Sequence, residues 1–168
     1  MYLLLFELIY TLTIDLYFLD SNVLLLLFLI LNILLMKNNL GPLKGIVVLD
    51  LTRVLVGPYC TMVLSDLGAR IIKVESPETG DDSRSFGPFI KDCSAYFMSL
   101  NRGKESIALN LKNKDDKKIF EKILAKSDVL VENFRPGTLD KWGYSWELLK
   151  KKYPKLIYAS ASGFGQTG

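Results

Sequence analysis

The most recognisable chemical motif in the sequence is GFGQTG at residues 163–168, directly after a run typical of a β-strand. This spelling matches the GxGxxG fingerprint, in which glycines permit a tight turn and a close approach of the backbone to a pyrophosphate. A dinucleotide site also needs a following helix and an acidic ribose ligand about 20 residues further on. The sequence ends at Gly168. We therefore predict a glycine-rich loop of another purpose, with a nicotinamide-dependent oxidoreductase as the alternative.

A second group of candidates is cationic, and each member lies at or near the end of a predicted strand or in the loop after it. The group consists of Arg102, Lys104, Lys112, Arg135 and Lys141. Ligands of open α/β sheets bind outside the carboxyl ends of the strands, and cationic groups there suit a phosphate-rich ligand. Singly, each residue is typical of ordinary protein surface. Nucleic acid is not predicted, because aromatic residues do not interleave with a dense basic stripe.

Other chemistry is limited by what the composition lacks. The chain has no histidine, which excludes Ser-His-Asp and Cys-His catalysis and histidine metal sites. The two cysteines, Cys60 and Cys93, form no CxxC pattern, so we predict neither a metal site nor a disulfide. The adjacent carboxylates of Asp81 and Asp82 are predicted to form a solvated turn with a helix-capping role.

Strands and helices are predicted to alternate from Gly45 onward, as short β-branched runs give way to segments of helical period. The predicted strands are 45–51, 70–75, 105–111, 129–131 and 156–159. The predicted helices are 59–67, 95–100, one capped by Asn113, and 145–152, with a long loop at 76–91 and a turn at FRPG. This alternation predicts an α/β fold with a largely parallel sheet.

Residues 1–36 form a hydrophobic leader that differs from the rest of the chain. They contain three acids (Glu7, Asp15 and Asp20) and no base, so the whole excess of positive charge lies in residues 37–168. The longest apolar run, Val23–Met36, is shorter than the about 20 residues that a spanning helix needs. Two interpretations stay open: a membrane anchor, which would make a membrane-anchored non-enzymatic protein an alternative, or a non-native extension ahead of Met36.

Several motifs in order resemble the amino-terminal region of the class III CoA-transferases, a family that includes formyl-CoA and carnitine CoA-transferases and alpha-methylacyl-CoA racemase. The resemblance begins with GPLKGIVVLDLTRVLVGPYCTMVLSDLGARIIKVESPETGDDSR and continues through LNRGKESIALNLK, DVLVENFRPGTLDKWGYSWE and PKLIYASASGFGQTG. It covers about residues 43–168 and implies a truncated Rossmann-like large domain, with a largely parallel sheet and flanking helices. Family members dimerise as interlocked rings, which we do not expect of this chain alone.

The resemblance also implies a set of contacts with coenzyme A. The residues that match the family's CoA contacts are Leu55, Val56, Leu109, Lys112, Asn133, Phe134, Arg135 and Lys141. Ser76 stands where some transferases have an arginine that contacts the nucleotide, so that contact is not expected here.

The implied activity is transfer of CoA between acyl-CoA and a carboxylic acid acceptor through an aspartyl anhydride. The family's nucleophilic aspartate lies shortly beyond GFGQTG, so we expect residues 43–168 to hold part of the CoA site, no catalytic residue and no permanently bound cofactor. Racemases of the family use an acid–base pair in the same region, and a racemase fragment is therefore a further alternative. A cytoplasmic location is expected, with membrane association if the leader is native.

Overall fold

Seven β-strands are present in the computed structural model, which describes residues 41–166. In chain order they are β1 (Val47–Asp50), β2 (Arg70–Glu75), β3 (Phe89–Ile90), β4 (Cys93–Ser94), β5 (Lys104–Ala108), β6 (Val129–Glu132) and β7 (Ile157–Ser160). Five of them form one sheet in the order β5-β2-β1-β6-β7, and every pairing within it is parallel. The short strands β3 and β4 form a separate antiparallel hairpin. The α/β fold with a largely parallel sheet is thus confirmed.

Helices connect the parallel strands, because a chain must cross over the sheet before it can run in the same direction again. They are α1 (Val56–Asp66), α2 (Ala95–Asn101), α3 (Lys114–Leu124), α4 (Thr138–Trp142) and α5 (Trp146–Lys152), and a 3₁₀-helix occupies Asp82–Ser85. Since all five sheet strands point the same way, their carboxyl ends share one edge of the sheet.

Apolar side chains cover both faces of the sheet, as expected when successive strand residues point to opposite sides. On one face, Leu49 and Leu130 pack with Phe120 of α3 in the larger core. On the other face, Val48 and Ile71 pack with Leu64 of α1. Helices on both faces make this a doubly wound sheet with buried central strands.

The sequence-based elements differ most clearly from the structure at four places, one of which is β5, which ends at Ala108 rather than at residue 111. Helix α1 begins at Val56 rather than Tyr59, because Pro58 falls in the first turn, where backbone N–H groups have no intrahelical partners. Helix α4 was not predicted, and it lies between Gly137 and Gly143, whose φ angles are 77° and 90°. The predicted loop at 76–91 contains the 3₁₀-helix and ends in the β3–β4 hairpin.

Asp81 corrects the prediction of a solvated turn. Its side chain accepts a hydrogen bond from the Ser83 N–H and so caps the 3₁₀-helix, which confirms the capping role. However, Asp81 is buried and forms an ion pair of 2.9 Å with Lys73, which is buried as well.

The hydrophobic leader predicted at residues 1–36 lies outside the described residues. Between residues 41 and 166, no helix combines the length and apolar character needed to cross a membrane.

Candidate functional site

A cleft of about 550 Å³ opens where the carboxyl ends of β1, β2 and β5 meet the segment after β6. The buried side chains of Leu51 and Leu109 contribute to its lining. Phe134 and Trp142 also line it, with ring centroids 5.1 Å apart in an edge-to-face arrangement. Arg53, Glu78 and Lys112 line it as well, so the cleft combines apolar side chains with charged groups of both signs. Apolar surface with convergent polar groups is typical of a small-molecule site.

Three of the residues implied by the family resemblance line this cleft together: Leu109, Lys112 and Phe134. Leu109 is held by a hydrogen bond from its N–H to the Glu75 carbonyl oxygen. Lys112 is exposed, and its ammonium group forms no ion pair and no hydrogen bond with any described residue. Its charge is therefore available to a ligand.

The other implied residues lie elsewhere along the same edge. Arg135 lines a neighbouring cleft of about 430 Å³, which shares Thr138 with the first. Leu55 and Val56 are exposed at the start of α1, and Lys141 is exposed on α4; none of the three lines either cleft.

Asn133, the remaining implied residue, is half-buried and binds another part of the chain. Its Oδ1 accepts a hydrogen bond from the Arg53 N–H at 2.8 Å, and its Nδ2 donates to the Arg53 carbonyl oxygen, also at 2.8 Å. Arg53 itself lines the first cleft. Sequence reasoning missed Arg53, although it follows a predicted strand. It selected instead Arg102 and Lys104, which lie before β5 and at its first residue and form ion pairs with Asp66 and Asp50.

Val54, next to Arg53, has a strained backbone. Its φ angle is 69°, in the left-handed region that β-branched residues rarely adopt. Such a conformation costs on the order of 1–3 kcal/mol and persists only where the surroundings enforce it. Here the Val54 N–H donates to Oδ1 of buried Asp81 at 3.1 Å.

Two buried ion pairs support the strands beneath this loop. Lys73 pairs with Asp81 at 2.9 Å, and Lys104 pairs with Asp50 at 3.1 Å; in both pairs each side chain is at most 1% exposed. Burial lowers the pKa of Lys104, and the attraction of Asp50 offsets only part of that effect. These groups hold the loops in place and are not exposed to the cleft.

Glu75 lines the cleft but is already engaged. Burial acts to raise its pKa, but hydrogen bonds from Arg84, Ser106 and the Asp81 N–H together outweigh that effect and lower the pKa to about 2. Arg84 makes two of these bonds, at 2.6 and 2.8 Å. A carboxylate held this firmly is a poor nucleophile for an acyl group.

Glu132, at the end of β6, has a comparable structural role. Its Oε2 accepts a hydrogen bond from the Phe134 N–H at 2.7 Å, and its Oε1 accepts one from the Tyr158 hydroxyl at 2.9 Å. Burial, followed by this bond to Glu132, raises the pKa of Tyr158. Glu132 thus orients the segment that carries Phe134 into the cleft.

Comparison with known proteins gives one consistent result. The model of CoA-transferase family III matches residues 43–168, a range that includes the glycine-rich segment. An acetyl-CoA:oxalate CoA-transferase from Acetobacter aceti is 58% identical over 128 residues, covering 76% of this chain and 33% of the relative. A succinyl-CoA:glutarate CoA-transferase from Homo sapiens is 50% identical over 132 residues, covering 78% of this chain and 30% of the relative.

Solved structures agree with the sequence matches. The crystal structure of a CaiB/BaiF family protein from Brucella suis superposes with a TM-score of 0.71 at 45% identity, covering 76% of this chain and 35% of that chain. The chain therefore spans about a third of the length of the relatives that it matches.

Proposed function

The chain belongs to CoA-transferase family III, and from that premise we propose that its first cleft binds the CoA part of an acyl-CoA thioester. The observation that carries this proposal is the meeting of Leu109, Lys112 and Phe134 in one cleft at the carboxyl edge of the sheet. Two separate stretches of the chain supply these residues, and the family resemblance implies each of them as a CoA contact.

The chemistry of CoA matches the lining of the cleft. An adenine ring is flat, and its faces would pack against the buried leucines and the Phe134–Trp142 aromatic pair, while its ring nitrogens and amino group would face the polar groups of the lining. The phosphates carry negative charge and would lie toward Lys112, with Arg135 further along the same edge. The leucine and aromatic side chains and the ammonium group of Lys112, which is unpaired within residues 41–166, thus suit the two halves of an adenine nucleotide, while Glu78, an exposed acid in the same lining, opposes part of that attraction.

We further propose that the whole enzyme moves CoA from an acyl-CoA to a small dicarboxylic acid. The two relatives named above act on oxalate and on glutarate, which are both dicarboxylic acids. In such a transfer an enzyme carboxylate attacks the donor thioester and releases the CoA thiolate, which leaves a mixed anhydride; the thiolate then attacks the enzyme carbonyl of that anhydride and releases the donor acid. The acceptor carboxylate displaces the thiolate from the resulting enzyme thioester, and the thiolate attacks the acceptor acyl group of the new anhydride, which forms the product thioester and frees the enzyme carboxylate. Because Glu75 and Glu132 are engaged in structural hydrogen bonds, we do not assign that role to either of them.

Calorimetric titration of the purified 168-residue chain with CoA tests the binding proposal. Lys112→Gln and Phe134→Ala should each weaken CoA binding about fivefold or more, since one removes a charge and the other an aromatic surface. Lys122→Gln is the matched control, because Lys122 is an exposed lysine in the last turn of α3 that lines neither cleft. Equal affinity in all four proteins, or no binding by the unaltered chain, would overturn the proposal.

A further inference from the structure

We propose that Arg53 contacts a phosphate group of the bound CoA and that Asn133 positions Arg53 through its backbone. This inference rests on the proposed function, because it takes CoA as the ligand of the first cleft. It adds Arg53 to the CoA contacts that the family resemblance implies. It also assigns to Asn133 the role of orienting Arg53 in place of a direct contact between its own side chain and CoA.

The side chain of Asn133, from a distant part of the sequence, binds both the N–H and the carbonyl group of Arg53. The Asn133 amide accepts from the Arg53 N–H and donates to the Arg53 carbonyl oxygen, each at 2.8 Å. Such a two-way contact fixes the peptide orientation of one residue, and with it the direction in which its Cα–Cβ bond leaves the loop.

The neighbouring peptide groups are fixed by a buried ion pair. Lys73 donates to the Thr52 carbonyl oxygen at 2.7 Å, and Asp81 accepts from the Val54 N–H at 3.1 Å. Lys73 and Asp81 contact each other at 2.9 Å, with side chains only 1% and 0% exposed. Backbone groups before, within and after Arg53 are therefore all held by side chains.

These contacts maintain a conformation that the chain would otherwise avoid. Val54 has a φ angle of 69°, and a β-branched residue leaves that region when nothing holds it there. Backbone strain of this kind is concentrated at ligand sites, where it fixes the direction of a contacting group. The neighbour whose direction is fixed here is Arg53, which lines the cleft with Ser76 and Lys112.

The guanidinium group of Arg53 remains available for a ligand. Its one contact with a described residue is a 3.4 Å approach of one nitrogen to Asp82, and the two side chains are 39% and 52% exposed. Arg84, by contrast, makes two short hydrogen bonds to buried Glu75. Because a guanidinium has five N–H donors in a fixed fork, most of the donors of Arg53 are free for a phosphate.

The side chain of Asn133 has little capacity left for CoA. Its oxygen and its nitrogen are both used on the Arg53 backbone, so a ligand could reach only the remaining lone pair or N–H. Removal of the amide would therefore weaken phosphate binding by releasing Arg53. That makes Asn133 a positioning residue.

A double-mutant cycle on the full chain tests both parts, with CoA and phosphate-free pantetheine as the two probes. Arg53→Gln should weaken CoA binding roughly tenfold and change pantetheine binding less than twofold, because pantetheine has no phosphate. Asn133→Ala should weaken CoA binding several-fold in the chain that has Arg53. In the Arg53→Gln chain the same substitution should cause little further loss of affinity, since the two residues act as a unit. Arg70→Gln, which removes an exposed arginine outside both clefts, should leave the binding of both probes unchanged.

Each outcome distinguishes between the two proposals. If the unaltered chain does not bind CoA, the proposed function fails and this inference fails with it. If Lys112→Gln weakens CoA binding but Arg53→Gln does not, the proposed function stands and the inference is overturned. Equal losses from Asn133→Ala with and without Arg53 would show that Asn133 contacts the ligand itself. Should Asn133→Ala fail to unfold cooperatively, Asn133→Thr, which keeps an oxygen near the Arg53 N–H, replaces it in the cycle.

Discussion

At the scale of single residues, the charged groups of this edge divide into two kinds. Glu75 and Arg84 satisfy each other, with two hydrogen bonds and further donors from Ser106 and the Asp81 backbone. Lys112, by contrast, has no partner among the described residues. The structure thus uses the first kind for stability and leaves the second available to an anionic ligand.

Glu75 should make stability depend on acid pH. Its pKa in the folded protein is about 2, below the ordinary value of 4.5, so its contribution is fully present above about pH 4.5 and is lost as the pH falls toward 2. Glu75→Gln should lower the free energy of unfolding at pH 7 by about 2 kcal/mol, a value reduced for the partial exposure of Arg84. Urea denaturation of both proteins between pH 2 and pH 7 measures this loss of stability.

The difference in the free energy of unfolding between the unaltered chain and Glu75→Gln should disappear as the pH falls from 4.5 to 2. Glu147→Gln serves as the control, because Glu147 is exposed and has no ion pair among the described residues. A constant difference at all pH values would mean that the hydrogen-bonding shape of Glu75, and not its charge, is responsible for its effect.

At the scale of elements, helix α3 is stabilised by its cap and by its apolar face. Asn113 accepts hydrogen bonds from the N–H groups of Asp115 and Asp116 at 2.7 and 3.3 Å, and Phe120 and Leu124 are buried against the sheet. At α5 the cap is weaker, because the bond from the Leu148 N–H to the Ser145 hydroxyl is 3.5 Å long.

Loss of the two caps should therefore have unequal effects. Asn113→Ala should lower the free energy of unfolding by about 1 kcal/mol, and Ser145→Ala by roughly half of that or less. Chemical denaturation of the two variants provides the comparison. A larger loss at Ser145 would show that helix α5, not α3, limits the stability of this part of the chain.

Local chemistry explains which elements could be predicted from the sequence. The structure has the predicted Asn113 cap, and strand β2 has the predicted bounds of 70–75. Both were predictable because capping and β-branched runs act within a few residues. Helix α4 was missed because it is short and lies between two glycines with positive φ. Its Leu139 is buried, and propensity does not reveal such packing.

The site was predictable only in part for a related reason. The strand-end rule selected Lys112, and the family resemblance supplied Leu109 and Phe134, which line the same cleft. Contacts between distant segments were not predictable: Asn133 meets Arg53, and Asp81 is buried against Lys73. Those pairings depend on strand order, and the sequence pattern predicted strands without their order.

At the scale of the whole molecule, Arg53, Lys112 and Arg135 lie beyond the carboxyl ends of strands, whereas the buried acids are engaged within the chain. Asp50 accepts bonds from Thr61 and Lys104, and Asp81 pairs with Lys73. Glu132 is bound by the Phe134 N–H and the Tyr158 hydroxyl. The buried carboxylates of the described residues are thus all engaged in contacts within the chain.

We expect no measurable CoA exchange between acetyl-CoA and oxalate in the presence of the purified 168-residue chain. The reaction needs a positioned carboxylate that can form an anhydride with the acyl group. Glu75 and Glu132 are engaged, and Glu78, the other acid that lines the first cleft, is exposed with no hydrogen bond or ion pair among the described residues to position it. Chromatographic detection of oxalyl-CoA measures the reaction, with material purified identically from cells lacking the gene as the background. Exchange above that background, abolished by Glu132→Gln, would show that Glu132 carries the acyl group after all.

Binding of CoA should depend on the cations of the carboxyl edge and therefore on salt. Arg135→Ala combined with Lys141→Ala should weaken binding roughly tenfold at low salt, because both residues match the family's CoA contacts and neither is paired among the described residues. Lys122→Ala with Lys126→Ala is the matched control: it removes the same charge, but at the end of α3 that returns to the amino edge of the sheet.

The contrast between these double variants should shrink as salt is added. The screening length falls from about 10 Å at 0.1 M to about 3 Å at 1 M, so exposed cations lose most of their attraction for phosphates. Titrations at both ionic strengths separate local contacts from net charge. If the α3 variant weakens CoA binding as much as the edge variant does, the attraction comes from the overall positive charge of the chain, and the carboxyl edge has no special role in holding the ligand.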